Sequence, residues 1–287
     1  MKFFILAGGF GKRAEPLSLI KPKAAFPLNG IPLLRLLLEQ LRAQGCAEGF
    51  VNLHHLAEQV MQAAGADSGI DFIREKELSG SLVLRQALPF FSDWLLVVNG
   101  DTFLEIPLSA MVEKTADRAV DGVLLTRRDP CGRYGRLRSR DGVFLAVSPP
   151  GPGPGMMYAG AALFRKSAVE KIDDKNFFSS ITKHRLHFRT VPYEGIWLDV
   201  GTPESYLRAN ERYRAHVGER SANSLSAAVT ISPQALVKNS ILWEHTRLGD
   251  GVSLCECIVT GHVALENMAL QKRIITRRGI FPLETVG

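Results

Sequence analysis

The sequence has few cysteines and no long apolar run, and both absences exclude classes of protein. The four cysteines (Cys46, Cys131, Cys255 and Cys257) have no framework spacing, which is typical of reduced thiols rather than of a disulfide scaffold. No apolar run approaches the roughly 20 residues that cross a bilayer. The net charge of +6 is dispersed, without the basic block and interleaved aromatics typical of nucleic-acid binding. We therefore expect a cytoplasmic protein without membrane insertion and without a nucleic-acid partner.

Two familiar nucleotide-binding signatures are also missing. A Walker A loop needs GxxxxGK followed by Ser or Thr, whereas here Arg13 follows Gly11 and Lys12. Residues 9–14 fit GxGxxA, but the predicted strand at residues 50–54 does not end in the acid that holds the ribose of a dinucleotide. Neither a P-loop NTPase nor an NAD enzyme is predicted.

What the sequence does have is an apolar strand, residues 2–6, that opens into the glycine-rich segment LAGGFGKR (residues 6–13). Glycine tolerates positive φ and has no Cβ, so backbone N–H groups in such a loop can approach a ligand closely. Four cations lie within twelve residues, and they are Lys12, Arg13, Lys21 and Lys23. This pattern predicts a polyphosphate site; the alternative is a tight strand-to-helix turn with solvated lysines.

Strand-like and helix-like segments alternate through the first half of the chain. Helices are predicted at 31–44, 56–64 and 82–91, between strands at 50–53, 70–73 and 94–98. This rhythm is typical of an α/β fold with a doubly wound, mostly parallel sheet, which binds ligands at the carboxyl ends of its strands. The Gly/Pro-rich segment 149–155 is predicted to be an irregular, mobile loop, and 203–216 an amphipathic helix that leads out of the domain.

The last 60 residues contain a repeat of seventeen residues. Aliphatic residues recur at Ile231, Leu248 and Leu265, and the same spacing links residues 241, 258 and 275. A period near one coil of hexads indicates a short left-handed β-helix of about three coils over 231–276. Gln271 stands where the pattern places an aliphatic residue, so the last coil is expected to act as a cap. The alternative is chance periodicity in an ordinary sheet.

The predicted domains are therefore 1–218, the α/β part, and 219–287, the β-helix with its tail. We expect the apolar edge of the β-helix either to form a homodimer or to pack on the α/β domain.

Two acids follow predicted strands. Asp101 ends the segment NGD (99–101), and Asp199 lies in WLDVGTP (197–203). Carboxylates at strand ends around a phosphate loop suit Mg²⁺. Waters and phosphate oxygens would complete the coordination shell of the ion. Either acid alone could equally be a turn or helix cap.

Together these motifs resemble the sugar-1-phosphate nucleotidylyltransferases, and the β-helix makes the chain most similar to their mannose-1-phosphate guanylyltransferase branch. The resemblance spans nearly the whole chain and rests on 6–13, 21–23, 99–101 and 197–203. It implies a Rossmann-like nucleotidyltransferase domain and Mg²⁺-dependent transfer of a nucleotidyl group from an NTP to a sugar 1-phosphate. Pyrophosphate and an NDP-sugar are the products, with GTP and mannose 1-phosphate or a related sugar as the best match.

The resemblance also implies roles for single residues. Arg13 and Lys23 would be catalytic, and Asp101 and Asp199 would be the metal ligands. The nucleotide would be bound by Leu6, Ala7, Gly8, Gly9, Gly11, Lys12, Arg13, Gly80, Asn99 and Gly100. The sugar would be bound by Tyr134, Gly135, Gly160 and Trp197.

The chain departs from the family pattern at two places. The loop at 78–83, usually close to LGTAGA, is LSGSLV, with bulky Leu82 at a position that is small in the pattern. The Glu-Lys-Pro segment that usually contacts the sugar phosphate is missing, so either a cation from elsewhere replaces it, with Arg165 and Lys166 as candidates, or the acceptor is unusual. These departures leave a second hypothesis, a non-catalytic homologue that binds a nucleotide or NDP-sugar and acts through its β-helix. A β-helix acyltransferase is disfavoured, because three coils offer little surface for a trimer cleft.

Overall fold

The computed structural model describes residues 1–66 and 69–283. An α/β domain with a mixed central sheet occupies the first three quarters of the chain, and a parallel β-helix follows it. The strands of the α/β domain are β1 (Lys2–Leu6), β2 (Pro27–Leu28), β3 (Ile31–Pro32), β4 (Gly49–Leu53), β5 (Ile70–Arg74), β6 (Trp94–Asn99), β7 (Thr102–Leu104), β8 (Gly122–Asp129), β9 (Arg136–Arg140), β10 (Val143–Ser148), β11 (Gly155–Arg165), β12 (Phe188–Pro192) and β13 (Trp197–Asp199).

The helices lie between these strands. The α-helices are α1 (Leu33–Ala43), α2 (Ala57–Ala64), α3 (Leu108–Glu113), α4 (Lys166–Glu170), α5 (Phe177–Lys183) and α6 (Pro203–His216). In the described part of the chain, 3₁₀ helices span Lys12–Ala14, Leu17–Leu19, Lys23–Ala25, Gly80–Phe90 and Lys114–Ala116. The helix predicted at 82–91 is thus a 3₁₀ helix, and it contains Pro89. Among the residues described, no helix has the length and apolar character needed to cross a bilayer.

The central sheet has nine strands in the order β5-β4-β1-β6-β11-β8-β12-β10-β9. Strands β5, β4, β1 and β6 pair in parallel, and β8 pairs in parallel with β12. Strands β10 and β11 pair only in an antiparallel manner and therefore run against the others. The predicted mostly parallel α/β sheet is confirmed. The carboxyl ends of β1, β4 and β6 meet at one edge, where the loops after them form the site.

Alternate side chains of each central strand enter opposite cores, as the pleat of a doubly covered sheet requires. On one face, Phe3, Ile5 and Val98 pack in a cluster with α1, α2 and α6. On the other face, Phe4 and Val97 pack with the 3₁₀ helix Gly80–Phe90 and with α4 and α5. Both cores hold the strands rigidly, so the loops at their carboxyl ends start from fixed positions.

The C-terminal part is a three-sided β-helix, as predicted. Its strands are β14 (Ser224–Leu225), β15 (Thr230–Ile231), β16 (Leu236–Lys238), β17 (Ile241–Leu242), β18 (Arg247–Leu248), β19 (Ser253–Cys255), β20 (Ile258–Val259), β21 (Ala264–Leu265), β22 (Ala269–Gln271), β23 (Arg273–Thr276) and β24 (Gly279–Pro282). They form three separate sheets whose successive coils stack in parallel, and β24 alone pairs antiparallel, with β23.

One prediction about the repeat is wrong. Leu265 pairs with Leu248 at a spacing of seventeen, but Leu270 pairs with Leu254 at a spacing of sixteen. The third coil is therefore one residue shorter, and Gln271 pairs with Cys255 instead of occupying an aliphatic position. Since Ile274 takes the place predicted for Ile275, the coil keeps its buried aliphatic residues. The β23–β24 hairpin, rather than a polar third coil, ends the stack.

The β-helix packs on the α/β domain through a shared aromatic core. Trp243 is fully buried, and its ring centroid lies 5.5 Å from that of Phe26. Its indole N–H donates to the hydroxyl of Tyr206 on α6 at 3.1 Å, and that hydroxyl donates to the carbonyl of Pro27 at 2.7 Å. Lys21 forms a salt bridge of 2.8 Å with Glu244 beside this core. Of the two predicted roles of the β-helix, packing on the α/β domain is the one seen.

The Gly/Pro-rich loop is only partly as predicted. No regular element covers 149–154, but β11 already begins at Gly155. The guanidinium of Arg136 donates to the carbonyls of Gly151 and Gly153 at 2.6 and 2.9 Å, and so fixes the loop from the neighbouring strand. The division at residue 218 stays a prediction, and the last four residues of the predicted tail lie outside the described residues.

Candidate active site

The glycine loop leaves β1 at the carboxyl edge of the sheet and faces a cavity of about 370 Å³. Gly100 donates its backbone N–H to the carbonyl of Leu6 at 2.9 Å, which closes β1 against the loop after β6. A Cβ on Gly100 would lie 2.8 Å from that carbonyl oxygen, so glycine is needed for this approach. The cavity brings together these predicted residues: Leu6, Ala7, Gly8, Gly9, Lys23, Gly80, Asn99, Gly100 and Asp101.

An asparagine buried in β4 holds the glycine loop in place. The side-chain oxygen of Asn52 accepts from the backbone N–H groups of Ala7 and Gly8 at 2.6 and 3.3 Å. Its amide nitrogen donates to Glu75 at 2.6 Å. The other oxygen of Glu75 accepts from the backbone N–H of Ser79 at 3.0 Å and from the Ser79 hydroxyl. One chain of hydrogen bonds thus ties the glycine loop to the loop at 78–83.

The loop at 78–83 is compatible with a nucleotide despite its unusual sequence. Leu82 packs against the apolar cluster that covers the second face of the sheet, while Leu78, Gly80 and Ser81 line the cavity. Gly80 has a φ of +61°, and a Cβ there would collide with the carbonyl of Lys175. That same carbonyl accepts from the backbone N–H of Ser81 at 2.9 Å. Bulky Leu82 therefore packs against the core rather than into the cavity, and the pocket beside it stays open.

Asp101 and Asp199 face each other across a pair of short strands. Strand β13 pairs antiparallel with β7, in a register that sets Asp199 opposite Thr102, the residue after Asp101. The ammonium of Lys23 forms an ion pair with Asp101, and the Lys23 side chain is only 14% exposed. Asp199 accepts from the backbone N–H of Gly201 and from the hydroxyl of Tyr134, both at 3.0 Å.

The electrostatics of this pair suit a divalent cation. Burial raises the pKa of Asp199 above its usual value, and the negative charge of Asp101 raises it further. Two carboxylates that repel each other in a partly buried position are stabilised by a cation between them. The part of the chain that the structure describes has no group of three or more acidic, histidine or cysteine side chains that could hold a metal. A pair of carboxylates still fits Mg²⁺, because this ion takes its remaining ligands from water and phosphate.

Three of the predicted phosphate contacts lie beside the cavity rather than in its lining. Gly11, with a φ of +69°, begins the 3₁₀ helix that carries Lys12 and Arg13, and both side chains are exposed. The positive charge of Arg13 acts on Tyr134, whose pKa it lowers against the larger effect of burial, which raises it. The Arg13 guanidinium also lies 3.3 Å from where a Cβ on Gly201 would stand, which sets it beside Asp199.

On the other side of Asp199 lies an aromatic wall. The rings of Tyr134 and Trp197 meet edge to face at 5.4 Å, and the indole N–H of Trp197 donates to the carbonyl of Ala159 at 2.8 Å. Asp129 fixes the turn before Tyr134, because it accepts from the backbone N–H of Tyr134 at 2.9 Å. Gly160, with a φ of +102°, lies against Asn99, so β11 links this wall to the cavity.

Not every predicted sugar-side residue belongs to this wall. Gly135 follows Tyr134 in the chain but lies against Val147 of β10. Arg165 and Lys166 are far from the site: Arg165 pairs with Trp94 at the amino end of β6 and donates to the carbonyl of Val120. Lys166 donates to the carbonyl of Phe91. The prediction that one of them binds the sugar phosphate is wrong, because β11 runs antiparallel to β6 and carries its end to the opposite edge.

Sequence reasoning missed several residues of the site. The most important are Asn52 and Glu75, and the cavity is also lined by Ala24, Leu78, Ser81, Lys175, Asn176 and Phe177. A polar residue inside the otherwise apolar strand 50–53 was a usable signal, since a buried amide needs partners. Nothing local marks residues 175–177, which reach the cavity only through the tertiary fold.

Comparison with known proteins agrees with this geometry. The profile of the MobA-like NTP transferase domain matches residues 3–134. A Sulfolobus acidocaldarius protein, provisionally named mannose-1-phosphate guanyltransferase, is 28% identical over 269 residues, which cover 89% of this chain and 74% of that protein. Mannose-1-phosphate guanylyltransferase 1 of Arabidopsis thaliana is 26% identical over 308 residues, which cover 96% of this chain and 82% of that enzyme.

Solved structures agree as well. The crystal structure of HddC from Yersinia pseudotuberculosis superposes with a TM-score of 0.64 at 25% identity, over 74% of this chain and 99% of that one. The same protein has been solved in complex with GMP-PN. The predicted resemblance is confirmed: residues 3–134 match a MobA-like NTP transferase domain, and nearly the whole chain is similar to proteins named mannose-1-phosphate guanylyltransferases.

Proposed function

We propose that the protein transfers a nucleotidyl group from an NTP to a sugar 1-phosphate, with release of pyrophosphate. The observation that carries this proposal is the convergence of the glycine loop, the ion pair of Lys23 and Asp101, and Asp199 at one edge of the sheet. The names of the relatives support GTP and mannose 1-phosphate as the substrates. Mg²⁺ held by Asp101 and Asp199 is part of the proposal.

The chemistry needs no covalent intermediate. An oxygen of the sugar phosphate attacks the α-phosphorus of the NTP in line, the new P–O bond forms, and the bond to pyrophosphate breaks. The protein must therefore bring two anions together and offset their repulsion. The backbone N–H groups of the glycine loop would hold the nucleotide phosphates, and Lys23 would stabilise charge on the reacting phosphates. Arg13 would stabilise charge on the departing pyrophosphate.

The two carboxylates have a defined part in this scheme. Asp101 and Asp199 would hold the divalent cation, which offsets phosphate charge when it is bound. Tyr134 would keep Asp199 oriented through its hydrogen bond of 3.0 Å. Cytoplasmic location and homodimer formation stay predictions from the sequence.

The test is pyrophosphate release from a matrix of five NTPs against a panel of sugar 1-phosphates with Mg²⁺. We expect release in one cell of the matrix, and a loss of about 100- to 1,000-fold in kcat for Asp101→Asn and for Asp199→Asn. Unchanged rates in both variants would contradict the assignment. A blank matrix from folded protein that still binds a nucleotide would favour a non-catalytic, nucleotide-binding homologue.

A further inference from the structure

Arg127 is a half-buried cation that the chemistry above does not use. It lies near the end of β8, and its guanidinium carbon stacks 4.9 Å from the centre of the Trp197 ring. Its Nη1 atom is buried and has no hydrogen-bond partner among residues 1–66 and 69–283. A guanidinium offers five N–H donors, and a buried donor without an acceptor is destabilising. The side chain is therefore held beside the aromatic wall with donors left over.

The acceptors around Arg127 are already engaged by other groups. Asp129 accepts from three backbone N–H groups, those of Cys131, Gly132 and Tyr134. The Tyr134 hydroxyl donates to Asp199. The hydroxyl of Tyr193, also near Arg127, donates to the carbonyl of Ile196 at 2.7 Å and accepts from the backbone N–H of Glu105 at 3.1 Å.

The charge of a second cation acts on Arg127. Burial lowers the pKa of Arg127, and the positive charge of Arg212 on α6 lowers it further. A guanidinium donor that has no acceptor is stabilised when an anion binds it. Since Tyr134 contacts Trp197 on one side and Asp199 on the other, this cationic spot lies next to the proposed reaction centre, on its sugar side.

We propose that Arg127 binds an anionic oxygen group of the acceptor sugar. This inference rests on the proposed function, because it assumes that the acceptor lies against Trp197. Arg127 would replace the cation of the missing Glu-Lys-Pro segment. Arg165 and Lys166 cannot do so, because both lie at the opposite edge of the sheet. The group bound is either the 1-phosphate or a second anionic substituent, such as the carboxylate of a uronic acid.

Equilibrium binding measured by calorimetry tests the proposal without turnover. The probes are mannose 1-phosphate, glucose 1-phosphate, glucuronic acid 1-phosphate and, separately, GTP. We expect Arg127→Gln to weaken binding of the acceptor about 10- to 100-fold, as for loss of a charge-assisted hydrogen bond, and to leave GTP binding unchanged. Arg127→Lys should recover part of the affinity. Arg128→Gln, an exposed neighbour on the same strand, is the matched control and should change neither.

The outcomes separate cleanly. Equal weakening for all three acceptors assigns the 1-phosphate to Arg127, whereas weakening for glucuronic acid 1-phosphate alone assigns a second anionic group. Acceptor affinity within twofold of wild type in Arg127→Gln, a parallel fall in GTP affinity, or a wild type that binds none of the acceptors would overturn the proposal. Thermal unfolding of each variant checks that the fold is intact. Binding through Arg127 without any NDP-sugar formation would refute the proposed function while leaving this inference standing.

Discussion

Exchanging the amide and the carboxylate of Asn52 and Glu75 should separate the stability of the glycine loop from its affinity for phosphate. In Asn52→Asp, two carboxylates would meet across the present 2.6 Å hydrogen bond between residues 52 and 75. In Glu75→Gln, the amide nitrogen of the new side chain replaces one of the two acceptor oxygens. It must therefore face a donor, either the amide nitrogen of Asn52 or the backbone N–H of Ser79. Each single variant therefore loses one buried hydrogen bond to a charged group, which contributes about 1.5–3 kcal/mol.

The double variant, which combines Asn52→Asp with Glu75→Gln, restores every partner. The carboxylate now at position 52 can still accept from the backbone N–H of Ala7. The amide now at position 75 can donate to that carboxylate, and its oxygen can accept from Ser79. We expect the free energy of unfolding of the double variant to return to within about 0.5 kcal/mol of wild type, well short of the sum of the two losses. The negative charge, however, now lies directly behind the glycine loop, which we propose binds phosphate, so the KM for the NTP should exceed that of the wild type.

Denaturant unfolding and steady-state kinetics measure the two effects on the same proteins. Glu77→Gln, an exposed residue two positions away, changes the same charge and should affect neither quantity by much. If the double variant were as unstable as the two single variants combined, the hydrogen-bond chain from Asn52 to Ser79 would not be what holds the loop.

Three further changes test other parts of the structure. Tyr134→Phe removes the hydrogen bond to Asp199 and should lower kcat about two- to tenfold, and an unchanged kcat at saturating substrate would contradict the orienting role. Gly80→Ala should raise the KM for the NTP, because its Cβ would collide with Lys175, whereas Gly45→Ala meets open space at a similar positive φ and should leave KM unchanged. Trp243→Ala should lower the free energy of unfolding by about 3–5 kcal/mol in a single transition. Leu236→Ala, at a side chain that is 71% exposed, should change it little. Two separate transitions would mean that the α/β domain and the β-helix unfold independently.

Most of the fold could be read from local patterns. The apolar strands, the glycine loop and the helix at 203–216 lie where periodicity and composition set them. The length of the third coil could not be read in this way, because a one-residue deletion keeps each aliphatic residue in a plausible position. Only the pairing of Leu254 with Leu270 reveals it.

The candidate site, too, could be predicted only in part. Residues in the motif segments converge because parallel strands end at one edge, a general rule of α/β sheets. The exclusion of Arg165 and Lys166 could not be predicted, since it depends on the edge of the sheet at which β11 ends, and the antiparallel pairing of β11 with β6 decides that. Likewise, Glu75 joins the glycine loop only through the side chain of Asn52, a contact between two different strands with no signature in the spacing of residues.

The shared aromatic core has a consequence for how ligand binding is felt through the molecule. The segment from Lys21 to Phe26 carries Lys23 towards the cavity and at the same time contacts Glu244 and Trp243. Any ligand that binds only the folded chain raises the free energy of unfolding, by about 2.7 kcal/mol at one hundred times its Kd. Because the β-helix and the α/β domain share that core, β-helix amides that exchange only through global unfolding would exchange about a hundredfold more slowly when the cavity is occupied at that ligand concentration.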